Sequence, residues 1–254
     1  MLWTPKRGLL LHGDHDFHPP GPLERDPPRP GVCDFIVPGC ANAMLLAAAQ
    51  ALPAFPVVVS TNTSFTDNSV SQVVSLPASL VSGNLLFIML SITDGATITT
   101  PTNWTELFKT VSAGTFSYAC YYKTSDGGEG ASVTVTIGSG TSDGAHCSYQ
   151  ISGHQGTPEA AVNDASVDCP NLAPSWGSAK TMWLSGCYVG TSADSDVTAA
   201  PTNHTNLLAA KVTGGRGVIG SARRESEAAS EDPGTFTVAS QEYPRSATIA
   251  IRPA

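Results

Sequence analysis

The run Gly140-Thr141-Ser142-Asp143-Gly144 matches G-x-S-x-G, the pattern that presents a nucleophilic serine on a sharp turn. That chemistry needs a strand before the serine and a helix after it, so that backbone donors face the oxyanion. Here alternating Val133, Val135 and Ile137 precede the run, but His146–Ser152 is again strand-like, so the stretch reads as a hairpin loop. Glu106 and Glu129 are the acids available in the first half for glycoside hydrolysis, which needs two facing carboxyls. Neither lies on an apolar stretch that would raise the pKa of an acid catalyst. His12, His15 and His18, with Asp14 and Asp16 between them, are of metal-binding type, but in a flexible arm they read as a solvated tail. Asp194 and Asp196 lack the acidic loop pattern of a calcium site. The expectation is no catalytic residue, no metal and no cofactor.

Pro101-Thr102-Asn103-Trp104-Thr105 returns as Pro201-Thr202-Asn203-His204-Thr205. Both copies are glycosylation sequons, as is Asn62-Thr63-Ser64, but Pro and Asn are also ordinary turn formers. Trp104 either stacks on a sugar or anchors its turn to the core. Tyr118 and Tyr122 share one face of a strand and Tyr121 points the other way; only one set is expected in the core. Trp104, His204 and Tyr121 are the candidate surface-contact residues, with the Trp corner read mainly as an anchor and the His corner as the place for contact.

Strands must position these residues. From Val57 onward the apolar period is two: Cys147, Tyr149 and Ile151 share a parity, as do Ala247, Ile249 and Ile251. Leu85–Leu90 is continuously apolar and reads as a central strand covered on both sides or lying in a thick core. Asp94-Gly95, Asp126-Gly127-Gly128 and Asp232-Pro233-Gly234 are turn signals. The repeat extends well beyond the pentapeptide. LLFIMLSI precedes the first copy and TMWLSGCYV the second; ELFKTV, FSYACYYK, SVTVTI and HCSYQIS then correspond to NLLAAKV, GVIGSARR, TFTVAS and ATIAIRP. Five strands in the same order, twice, predict two similar halves, about 57–168 and 169–254. Packing them face to face buries both apolar faces. The expected fold is all-β: a two-sheet antiparallel sandwich or jelly roll built from two half-repeats, with a proline-rich extended N-terminal arm.

Ten of the 19 prolines fall within residues 1–56, which excludes regular structure from much of that arm and predicts disorder. The composition shift near Met44 suggests that residues 1–43 lie upstream of the natural start. The greasy stretch from Phe35 to Leu52 is broken by Pro38, Gly39 and Asn42, so no membrane insertion is expected. A net charge of −8, and a body whose only adjacent basic pair is Arg223-Arg224 among acids, argue against nucleic acid as a partner. None of the six cysteines forms C-x-x-C, and Cys120, Cys147 and Cys187 lie in apolar runs, as buried thiols do.

The succession SGNLLFIMLSI, TPTNWTEL, YACYYKTSDGGEGASVTVTI, AHCSYQISG, PGTFTVAS and SATIAIRPA, over about Phe55–Ala254, resembles a group of β-sandwich proteins of tailed bacteriophages and environmental viral sequences: tail-fibre, head-fibre or decoration components. The resemblance implies a non-enzymatic structural protein of the virion, assembled in the host cytoplasm and displayed on tail or capsid. Its expected partners are other virion proteins, copies of itself in a homo-oligomer, and a host surface glycan. Free thiols agree with assembly in a reducing compartment. A carbohydrate-binding module of a cell-surface or secreted protein is the alternative, and a polysaccharide depolymerase is the less favoured third reading.

Overall fold

A computed structural model describes residues 54–112, 115–138 and 140–254. The arm, with His12, His15, His18, Cys33, Cys40 and Met44, lies outside the described residues. Sixteen strands and no helix make up the rest. The first half contains β1 (Val57–Ser69), β2 (Ser71–Ser75), β3 (Leu85–Thr93), β4 (Thr105–Ser112), β5 (Phe116–Thr124), β6 (Ser132–Thr136) and β7 (Ser142–Ser152). The second contains β8 (Glu159–Asn163), β9 (Asp168–Cys169), β10 (Ala179–Gly190), β11 (Val197–Ala199), β12 (Thr205–Lys211), β13 (Gly217–Ala228), β14 (Gly234–Thr235), β15 (Thr237–Val238) and β16 (Tyr243–Ile251).

Two five-stranded antiparallel sheets form the sandwich, ordered β1-β7-β3-β5-β4 and β8-β16-β10-β13-β12. Each position holds the repeat-equivalent strand, so the duplication read from the sequence is a duplication of topology. One boundary moves. Strand β8 precedes residue 168 yet pairs with β16, so the halves meet between residues 153 and 158.

Period-two patterning explains the layers. On β3, Leu85, Phe87 and Met89 face the second sheet, where they meet Met182, Leu184, Ile249 and Ile251 in one core shared by both halves. The alternate residues Leu86, Ile88, Leu90 and Ile92 point outward and are just as buried, as the continuous apolar run implied. Their cover is the β2–β6 ribbon, which contributes Val74 and Val135. The second sheet is covered likewise: Cys187, Val189 and Val218 pack under Cys169, Val197 and Phe236. Each half is thus a sheet plus its own outer ribbon. This thickness buries both tyrosine sets of β5. Tyr118 faces the shared core and Tyr121 the outer one, and both are fully buried.

Hydroxyls fasten the ribbons. Ser148 Oγ donates to Ser75 O at 2.7 Å, and the second half answers with Ser246 to Asp168 O at 2.7 Å and Thr248 to Pro170 O at 2.6 Å. These bonds satisfy polar groups that the sheet buries.

Candidate functional site

The two pentapeptides are equivalent corners. Trp104 N donates to Pro101 O and His204 N to Pro201 O, both at 3.1 Å. Asn103 and Asn203 sit at φ +66° and +68°, the type II pattern that calls for Gly or Asn at its third position. Both asparagines are exposed, and neither side chain makes a hydrogen bond among the described residues. The residues that follow point inward. Trp104 is 9% exposed and packs in the outer core with Tyr121 and Ile88, and His204 is 7% exposed. Trp104 thus anchors its turn to the core, the role its place just past the turn favours, and the candidate surface contacts at Trp104, His204 and Tyr121 are corrected: the corner turns each strand start inward. His204 leaves both ring nitrogens without a partner, and burial pushes its pKa down.

Glu129 and Glu231 form a second repeat pair. Lys123 Nζ lies 3.0 Å from Glu129, and Arg224 Nη1 lies 2.8 Å from Glu231. Burial pushes the Glu129 carboxyl up, but Lys123, the Asp126 amide and the Ser125 hydroxyl outweigh it and hold the pKa at about 2. An acid held ionised cannot donate a proton at neutral pH. Glu106 is bound elsewhere, 2.7 Å from Lys109 and accepting from Thr100.

Ser142 of the G-x-S-x-G run is 3% exposed at the start of β7, and Ser142-Asp143-Gly144 belongs to that strand rather than to a loop. A different serine meets a histidine. Ser64 Oγ is 3.1 Å from His146 Nδ1, and His146 Nε2 is 3.1 Å from Gln72 Oε1. The Ser75 amide donates to Ser64, and Gln72 Nε2 donates to Ser142 O. Ser64 therefore donates to Nδ1, and Nε2–H donates to Gln72. Burial lowers His146 to about pKa 3, too weak a base to activate a hydroxyl at neutral pH. The relay is a satisfied buried network, and Gly144 makes room for it: a Cβ there would lie 2.1 Å from Gln72 Oε1.

Asp194 and Asp196 each lie 3.5 Å from Lys211 Nζ, so an ammonium already bridges them. Among the described residues no three metal-ligating side chains converge, and no helix is long and apolar enough to cross a membrane.

The open site lies elsewhere. A cleft of about 300 Å³ is framed by both halves: Thr93, Asp94, Thr115 and Asp143 from the first, Thr191, Arg216, Glu242 and Tyr243 from the second. Strand ends meet here. Thr93 pairs with Phe116, Gly190 with Gly217 and Tyr243. Thr93 Oγ1 accepts from the Asp143 amide, and Thr191 N donates to Arg216 O. Sequence reasoning missed this cleft because it read Thr93-Asp94-Gly95 as a turn and nothing more. The available signal was the repeat itself: Thr115 and Arg216 in the loops, and Asp143 and Tyr243 at the starts of β7 and β16, are equivalent positions filled by different residues.

No protein family, curated protein or solved structure matches the chain.

Proposed function

We propose that this chain is a non-enzymatic structural component of a tailed-phage virion, displayed on tail or capsid and touching the host surface with its free end. The placement of the first and last strands of the described sandwich carries the reading. Val57 pairs with Ser152, and Ala254 N donates to Gly153 O, so β1 begins and β16 ends at one pole. The cleft opens at the other pole, past Thr93. The nine residues of β3 separate the two by roughly 27 Å at ~3.3 Å per residue. A sandwich held from one pole presents its cleft outward. The engagement of Glu129 and His146 in buried networks fits a scaffold better than acid–base catalysis. A homo-oligomer and contacts with other virion proteins belong to the same reading. Edge strand β1 supports them, since it exposes Val57, Val59 and Phe65 beside an edge that no strand pairs among the described residues.

Mass spectrometry of purified particles tests the proposal. Peptides from Phe55–Ala254 at the stoichiometry of a structural protein support it; their absence refutes it. The polar cleft favours a second reading, a carbohydrate-binding module of a cell-surface or secreted protein. Under that reading the chain is absent from particles and binds saccharide.

A further inference from the structure

We infer that the cleft at the pole opposite the start of β1 and the end of β16 is a binding site for a neutral saccharide. The inference rests on the surface-binding element common to both readings above, and it assigns that element a place and a ligand class.

The unspent hydrogen-bonding capacity of the cleft decides the class. Three of its hydroxyl protons are already used: Thr115 donates to Ser112 O at 2.9 Å, Thr93 to Asp94 at 3.0 Å, and Ser192 to Glu242. Glu242 also accepts from the Ser192 amide, so it positions the 191–193 loop and contributes little outward. Among the described residues, Asp94 accepts from Thr93 through Oδ2 and keeps Oδ1 open, and Asp143 accepts from the Asn68 amide through Oδ1 and keeps Oδ2 open. Arg216 has no carboxylate within salt-bridge distance among the described residues, and its side chain is exposed. The ligand therefore meets carboxylate acceptors on one hand and, on the other, the donors of Arg216 and the Tyr243 hydroxyl.

A sugar ring satisfies both at once, because each of its hydroxyls donates and accepts. Vicinal hydroxyls reach a carboxylate and a guanidinium together. Tyr243, 38% exposed at the cleft wall, offers an aromatic face for the apolar C–H side of the ring. Anionic ligands fit poorly, since Asp94, Asp143 and Glu242 outnumber Arg216. A metal ion fits poorly too, because no three ligating side chains converge there. The cleft's volume of about 300 Å³ places it at the small end of ligand sites, suited to one or two rings of a longer chain.

The test is calorimetric titration of the full chain with maltotriose, mannotriose and galactobiose, with trigalacturonate as the anionic probe and spermidine as the cationic one. At least one neutral saccharide binds. Tyr243→Ala and Asp143→Asn each weaken it tenfold or more, and Arg216→Ala at least fivefold. Val81→Ala, exposed at the opposite pole, stays within twofold. Thermal melts of the variants confirm that each is folded; Tyr243→Ala, at a partly exposed position, melts as the parent does. Binding of none of the neutral saccharides overturns the inference. So does binding of trigalacturonate or spermidine alone, or saccharide binding that the cleft variants leave intact. A chain present in particles that binds no saccharide sinks this inference and spares the virion proposal. A chain that binds saccharide and is absent from particles does the reverse.

Discussion

Replacing Asn103 by alanine isolates what the repeated corner requires. Its φ of +66° lies in the left-handed region, and its side chain is exposed and makes no hydrogen bond among the described residues. The asparagine is therefore there for its backbone. A residue with an ordinary Cβ pays about 1–2 kcal/mol in that region, and asparagine is better tolerated there than alanine. Asn103→Ala should cost about 1 kcal/mol, and Asn103→Gly no more than a few tenths, because glycine reaches positive φ without strain. Asn203, at +68° in the equivalent corner, should give the same pair of values. The two corners share no hydrogen-bond partner, so the double alanine variant should lose about 2 kcal/mol, additive within ~0.5 kcal/mol. Urea unfolding followed by tryptophan fluorescence reads these differences as midpoint shifts at constant slope. In a thermal melt each alanine should lower Tm by about 2–4 °C. Glycine variants as damaged as the alanine variants would refute the reasoning, since a side-chain contact, not φ, would then hold the corner.

Trp104→Ala empties a buried aromatic site in the outer core and should cost about 3 kcal/mol or more, whereas His204→Ala should cost under about 1 kcal/mol because it also removes two unpartnered buried nitrogens; chemical denaturation compares the two. The folded pKa of Glu129, about 2, lies below its unfolded value, so its contribution is complete above about pH 4.5 and is lost as pH falls toward 2. Glu129→Gln should therefore destabilise the chain by roughly 1–2 kcal/mol at pH 7 and by much less at pH 2.5, as measured by urea midpoints at the two pH values. In full-length chain carrying Cys33→Ser and Cys40→Ser, Cys120, Cys147, Cys169 and Cys187 should resist thiol reagents natively and react once the chain is unfolded in denaturant. All four are buried, and burial pushes the Cys147 and Cys169 thiols up to about 12.

Much of the fold was legible because strand period and duplication are local and repeated. Val133, Val135 and Ile137 alternate in sequence and line one face of a ribbon in space. The uninterrupted run Leu85–Leu90 announced a strand covered on both sides. What covered it was not legible. The ribbons β2–β6 and β9–β14 join residues some sixty apart, and no short-range pattern encodes that pairing. Missing the ribbons is why Tyr121 was a candidate for the surface: without an outer layer, one face of β5 had to be wet. The half boundary slipped for a related reason. Glu159–Asn163 is short and only weakly alternating, and its identity as the partner of β16 comes from register with Ser246–Ala250. The cleft was the hardest to see. It is assembled from six separate strand ends and loops at one pole, each of which is ordinary by itself.

The central structural claim is that two duplicated half-sandwiches share one core and fold as one unit, with the cleft held between them. Native-state amide hydrogen exchange tests it most directly. Residues of β3, β5 and β7 should open with the same free energy as those of β10, β13 and β16, because Phe87, Met89, Leu184 and Ile249 lie in one cluster. A half that opens independently at a free energy several kcal/mol lower, while the other stays protected, would contradict the claim.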